Sequence, residues 1–165
     1  MATETGARLA QAIRSTVQEL REQCAAVGEA QAAQAPAGRW TPKEILSHLI
    51  GPKPGALQSV LDRFLTSEVP LIEIHPEQIY ATPERQALSF AQLVELFTQE
   101  YEGIAQFAEG LTEAQLARTA QVPLFKDSPL GEYPTLAAFL GGLGQYHVHM
   151  HAEHLTEVLA GKPAQ

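Results

Sequence analysis

Amphipathic helical segments separated by two long proline-bearing connections, with no convincing alternating strand, predict an all-α chain folded as a four-helix bundle with long crossover connections. With 165 residues, 45% of them hydrophobic, the chain can fill one ordinary core, so residues 1–165 are expected to form a single domain.

The first helix is marked by Leu9, Ile13, Val17 or Thr16, Leu20, Cys24 and Val27, which recur at three- and four-residue steps. Cys24 lies in that apolar register and has no second cysteine to pair with, so it is expected to be an inert core thiol. An Ala/Gln/Gly stretch containing Pro36 and Gly38 ends this element. The second helix carries a full start signal: Thr41 as N-cap, Pro42 at the first helical position, and Glu44 placed to complete a capping box. Its apolar residues are Ile45, Leu46, Leu49 and Ile50. Gly51-Pro52-Lys53-Pro54-Gly55 then interrupts it, and Pro52 removes the amide that would bond the His48 carbonyl, so a break or kink is expected there. Helical spacing resumes with Leu57, Val60, Leu61 and Phe64.

From Ser67 to Leu88 the periodicity fades around Pro70, Pro76 and Pro83, which predicts a long ordered loop over the bundle, a length that often carries function. Ser89 and Gln92 form a capping box for the third helix, with Phe90, Leu93, Val94, Phe97, Tyr101, Ile104 and Phe107. Thr112 caps a short turn. A second irregular connection, Val122 to Pro134, precedes Thr135, which starts the last helix.

In that last helix the apolar stripe reads Leu136, Leu140, Leu143, His147, His151 or Met150, His154 and Val158, so imidazoles occupy positions that the periodicity assigns to the core. A buried polar group without a partner costs roughly 1–3 kcal/mol, against about 5–15 kcal/mol for a whole domain. Such histidines must be hydrogen-bonded, open to a cleft, or bound to a metal. Residues four apart differ by only about 40° around the helix, so His147 and His151 can converge on one ion while His149 points away. Sites in bundles are built from facing helices, which makes His48 the best third ligand and leaves His75, in a loop beside Pro76, as its competitor. Three neutral imidazoles suit zinc, or nickel, cobalt or iron at higher coordination. Such an ion lowers the pKa of water toward about 7 or activates a thiolate.

The formal charge of −8, with 19 acidic against 11 basic residues and no basic run, argues against nucleic acid as a partner. No apolar stretch has membrane-spanning length, and the N-terminus has no signal-peptide pattern, so no membrane association and a cytoplasmic location are expected.

Two segments carry a family resemblance: Gly38-Arg39-Trp40-Thr41-Pro42-Lys43-Glu44-Ile45-Leu46-Ser47-His48-Leu49 and, a hundred residues later, Tyr146-His147-Val148-His149-Met150-His151. Together they resemble the DinB-like family, also called the damage-inducible or bacillithiol-transferase-like fold. In that family a Trp-Ser/Thr lead-in to helix two is followed by a His, and helix four carries His-x-x-x-His. The resemblance implies a four-helix bundle, often a homodimer, with a divalent metal, commonly nickel or zinc, held by His48, His147 and His151. Positions on the metal stay open for water or a small-molecule substrate. Related enzymes include S-transferases that use low-molecular-weight thiols and maleylpyruvate isomerase. His154 falls where the family often has a polar residue and is expected to orient a ligand rather than be one. The chain departs from the family at Gly51–Gly55, where relatives usually continue the helix. That departure is expected either to reshape the mouth of the pocket or to pull His48 out of line.

Other features have plainer readings. Glu44 is explained by capping, Glu153 by a solvated face, Trp40 by packing at the start of helix two, and Tyr146 by a core or interface position. The Gly141-Gly142-x-Gly144 run lies inside a helix with no preceding strand, so it is read as close helix packing, at a dimer interface or within the chain, and not as a phosphate loop. His147-x-His149-x-His151 superficially matches loops of β-lactamase-type metallo-hydrolases, but the Asp-His that should follow is missing. Two functions therefore stand side by side: a metal-dependent hydrolase or thiol S-transferase, and a non-catalytic dimeric binding or stress-response module on the same fold.

Overall fold

The computed structural model describes residues 2–165, and the helices it contains follow the local start signals closely. Helix α1, Glu4–Ala25, begins earlier than its apolar repeat because the Thr3 hydroxyl accepts the Gly6 amide and caps it. Helix α2, Pro42–Ile50, opens with the Thr41/Glu44 capping box in place. The chain then breaks at Gly51, whose φ of 87° suits glycine, and resumes as α3, Ala56–Thr66. Helix α4, Phe90–Glu109, starts at the Ser89/Gln92 capping box. The last helix, α5, starts at the Thr135 cap and runs over 136–159 in three parts: Leu136–Gly141, a π-helical stretch Gly142–His147, and Val148–Leu159.

Helices α1 and α2 each pack against both α4 and α5, which closes a four-membered ring. Ile13, Leu20, Ile45, Leu46, Ile50, Phe97, Tyr101, Leu140, Val148 and Leu155 fill its interior. Each such side chain contributes roughly 1.5–3 kcal/mol by leaving water. Cys24 is buried among them, and burial pushes its thiol up to about 12, which keeps it protonated and inert.

Both long connections are ordered by hydrogen bonds. The first carries a short helix, Pro83–Gln86, and is joined to the second at the Leu71–Gln121 bridge, where the Ile72 amide bonds the Gln121 carbonyl at 2.8 Å. Among the described residues the only β-pairings are this bridge and one between Thr119 and Thr135. No helix is long and apolar enough to cross a membrane among the described residues.

The π-helical stretch corrects the expected stripe. A π turn inserts an extra residue, so the register slips across it. Gly144 and Val148 face the core, Leu143 is only half-buried, and Tyr146, expected in a core or interface position, is 71% exposed. The glycine run does serve close packing, and its neighbour is α1 of the same chain. A Cβ on Gly144 would lie 2.5 Å from Ile13 Cγ1, and the Thr16 hydroxyl donates to the Gly144 carbonyl at 2.8 Å.

Candidate metal centre

His48 sits in the last turn of α2, with the π-helical stretch ending at His147 and the regular helix beyond it carrying His151 one turn later. Their ligand atoms all lie within 4.8 Å of one another. His48 and His151 are buried and His147 is half-buried. The structure thus brings together His147 and His151, paired by their spacing, and His48, expected as the third ligand from a facing helix. It leaves His75 exposed in the first connection and His149 exposed beside Glu153, at 3.5 Å. The break at Gly51 does not draw His48 away, because His48 Nε2 stands 3.0 Å from His147 Nε2.

The protonation pattern follows from the partners. His48 Nδ1 lies 2.6 Å from the Gln78 carbonyl, an acceptor only, so Nδ1 carries the proton and the Nε2 lone pair is turned toward His147. Burial, reinforced by repulsion between the rings, holds His147 down to about 4 and His151 down to about 3. Burial also lowers His48, against the raising effect of the Gln78 hydrogen bond and the Glu77 charge. All three rings are therefore neutral near pH 7, the state in which imidazole donates a lone pair to a metal.

Whether this donor set fits an ion can be judged from the closest pair. Two nitrogens each about 2.1 Å from one cation stand about 3 Å apart when they subtend a right angle, and that is the separation of the His48 and His147 Nε2 atoms. Nitrogen donors of this kind suit zinc, nickel and their neighbours rather than calcium or magnesium. The cluster can hold a divalent transition metal.

The surroundings include three side chains whose part was not evident from spacing. Trp40 does pack at the start of α2, but it also walls the cluster, lying nearly parallel to His151 at 6.0 Å between ring centroids and 5.0 Å from His48. Arg39, next in sequence, pairs with Glu157 at 2.6 Å and so ties this wall to the end of α5. Arg85, from the first connection, donates to the Ser47 carbonyl at 3.0 Å and the Gly51 carbonyl at 2.8 Å beside His48. A tryptophan just before a capping box was the signal available for the first; no local pattern marks the Arg85 contact. His154 Nδ1 lies 3.4 Å from His151 Nδ1, outside the triad and next to one member of it. Glu44 is used in the cap, and Glu153 is on the solvated face. A surface concavity of about 520 Å³ between α1 and α5 is lined by Ser15, Glu19, Gln145, Tyr146 and His149 among others and includes none of the triad.

The family model of the DinB superfamily matches residues 6–155 of the chain. The fold is similar to that of YfiT from Bacillus subtilis, a probable metal-dependent hydrolase with an unusual four-helix bundle topology. The TM-score is 0.75 at 21% sequence identity, over 97% of this chain and 88% of that one. No curated protein matches in sequence.

Proposed function

The chain belongs to the DinB superfamily, and on that premise we propose that it is a metal-dependent enzyme in which His48, His147 and His151 hold one divalent ion, zinc or nickel. The carrying observation is the convergence of three neutral imidazoles from two facing helices, with ligand atoms within 4.8 Å of one another. When bound, such an ion supplies Lewis acidity to the group at its open positions. The residues of the chain do the rest. The Gln78 carbonyl keeps the His48 Nε2 lone pair free. Trp40 shields His151 from water on one face, and His154, beside His151 Nδ1, orients that ring.

The proposed reaction is hydrolysis or transfer to a small thiol, with water or a low-molecular-weight thiol as nucleophile. The likeness to YfiT, itself a probable metal-dependent hydrolase, supports water. Arg39, beside the Trp40 wall of the site, is engaged by Glu157.

Elemental analysis of untagged protein purified without chelator tests this reading. Roughly one zinc or nickel per chain is expected, lost in both His48→Ala and His147→Ala. Added metal at about a hundred times its Kd should stabilise the wild type by about 2.7 kcal/mol and neither variant comparably. No metal uptake even after reconstitution would overturn the enzyme reading in favour of a binding module with a polar core.

A further inference from the structure

The end of α2 is held in an uncommon way. Pro52 and Pro54 contribute no amides, so the last carbonyls of the helix lack the partners that a continuing chain would give them. The Gly51 amide serves the Ser47 and His48 carbonyls at 3.2 Å each, and the Tyr101 hydroxyl serves Leu49 at 3.0 Å. Arg85 adds a second donor to the Ser47 carbonyl and serves the Gly51 carbonyl just beyond the helix. Its guanidinium is buried, 7% exposed, and its hydrogen bonds run to uncharged acceptors: the Ser47 carbonyl, the Ser47 hydroxyl at 3.1 Å and the Gly51 carbonyl. Glu100, bonded to the Gly55 amide, is the nearby charge that offsets it. Burying a guanidinium is costly, and an apolar side chain would fill the space with less penalty, so what it holds in place matters.

Arg85 holds the first connection against the residue preceding His48. The Ser47 hydroxyl that accepts from Arg85 also lies 3.4 Å from the Tyr80 carbonyl. Tyr80 has φ 52°, a left-handed conformation that a bulky residue keeps only when its surroundings enforce it. Two residues earlier, the Gln78 carbonyl meets His48 Nδ1. Segment 77–85 is therefore a strap across the back of the imidazole, fixed at its far end by the Arg85 fork.

We infer that Arg85 is a positioning residue for His48: by clamping the strap to the end of α2 it keeps the Gln78 carbonyl on Nδ1, so that Nε2 faces the other two histidines. The functional meaning of this relay rests on the metal-site reading above, but the relay exists without metal. Arg85 itself touches none of the three imidazoles through the hydrogen bonds described.

The test reads the tautomer and the metal separately. Imidazole 15N NMR of metal-free protein should show His48 protonated at Nδ1 in the wild type. Arg85→Met should leave the bundle helical by circular dichroism, yet convert His48 to a mixture of tautomers while His147 and His151 keep their signals. Zinc affinity of that variant should fall by about tenfold to a hundredfold. Arg85→Lys, which keeps the charge and loses the fork, should restore part of both readouts. If Arg85→Met does not fold, Ser47→Ala, which removes only the hydroxyl shared with the strap, is read in the same way with a smaller shift. Unchanged His48 signals in a folded Arg85→Met protein would overturn the inference, as would unchanged zinc affinity in that variant. Absence of zinc binding in the wild type would remove the metal reading and leave the NMR result to decide the role of Arg85.

Discussion

The two sides of the histidine cluster are built on different principles. On α5, His147 and His151 are successive-turn neighbours on one continuous helix, and their relative placement follows from helix geometry. On α2, His48 lies three residues before a chain break and is placed by contacts from elsewhere: Gln78, Arg85 and Tyr101. One side is rigid because it is local. The other is rigid because distant segments converge on it.

The contrast can be broken most strongly with acid. In metal-free protein His147 and His151 are held at about 4 and about 3, below the ordinary value of 6.5 that they regain on unfolding. Between those limits the unfolded chain binds more protons than the folded one, so stability is full above about pH 6.5 and is lost as pH falls toward 4. At about 1.4 kcal/mol per pKa unit, the loss by pH 4 is on the order of 3 kcal/mol for each of the two rings, measurable by urea unfolding at stepped pH. Saturating zinc should move the acid limb to lower pH, because metal competes with protons for the same lone pairs. A flat profile from pH 7 to 4 would contradict the buried neutral state of the α5 pair.

The next effect isolates the α5 side. Gly144→Ala gains up to about 1 kcal/mol of helix propensity, but its Cβ meets Ile13 Cγ1 at 2.5 Å and Cδ1 at 2.9 Å, close to the root of a stiff β-branched side chain. Overpacking of this kind costs about 1–3 kcal/mol, so net destabilisation of about 1–2 kcal/mol is expected, partly relieved by Ile13→Val. Gly103→Ala in α4 is the control. A Cβ there meets nothing within 4 Å, so it should stabilise by about 0.5–1 kcal/mol. If the two alanine variants behave alike in urea, close approach of α1 is not what the glycine run provides.

The smallest effect sharpens the α2 side. Thr41→Ala removes the hydroxyl that accepts the Glu44 amide at 3.1 Å and should cost about 1 kcal/mol. Because the His48 end of α2 is held independently by Arg85 and Tyr101, the His48 NMR signals should hardly move. A shift comparable to that in Arg85→Met would show that α2 transmits strain along its whole length.

Legibility in the sequence divides along the same line. Thr41, Ser89, Thr112 and Thr135 announced helix starts because a capping side chain and the amide it accepts are only three residues apart. The pairing of His147 with His151 was legible for the same reason, as was the exposure of His149. His48 was reachable by elimination and by the Trp-Thr lead-in. The register of α5 was read across Gly142–His147 as regular helix, since a π turn is decided by packing against α1 and leaves only glycines as its trace.

By itself, then, the sequence determined where the main helices begin, that the chain is an all-α bundle, and which face of the last helix carries imidazoles, since all of these depend on residues within one helical turn or on a sustained period. Tertiary structure alone decided that His48 faces His147 at 3.0 Å, that Trp40 lies over His151, and that Arg85 clamps the end of α2. Those contacts join residues 34 to 111 positions apart in the chain, from Gly51–Arg85 to Trp40–His151, and no periodicity records a meeting that only the closed bundle produces.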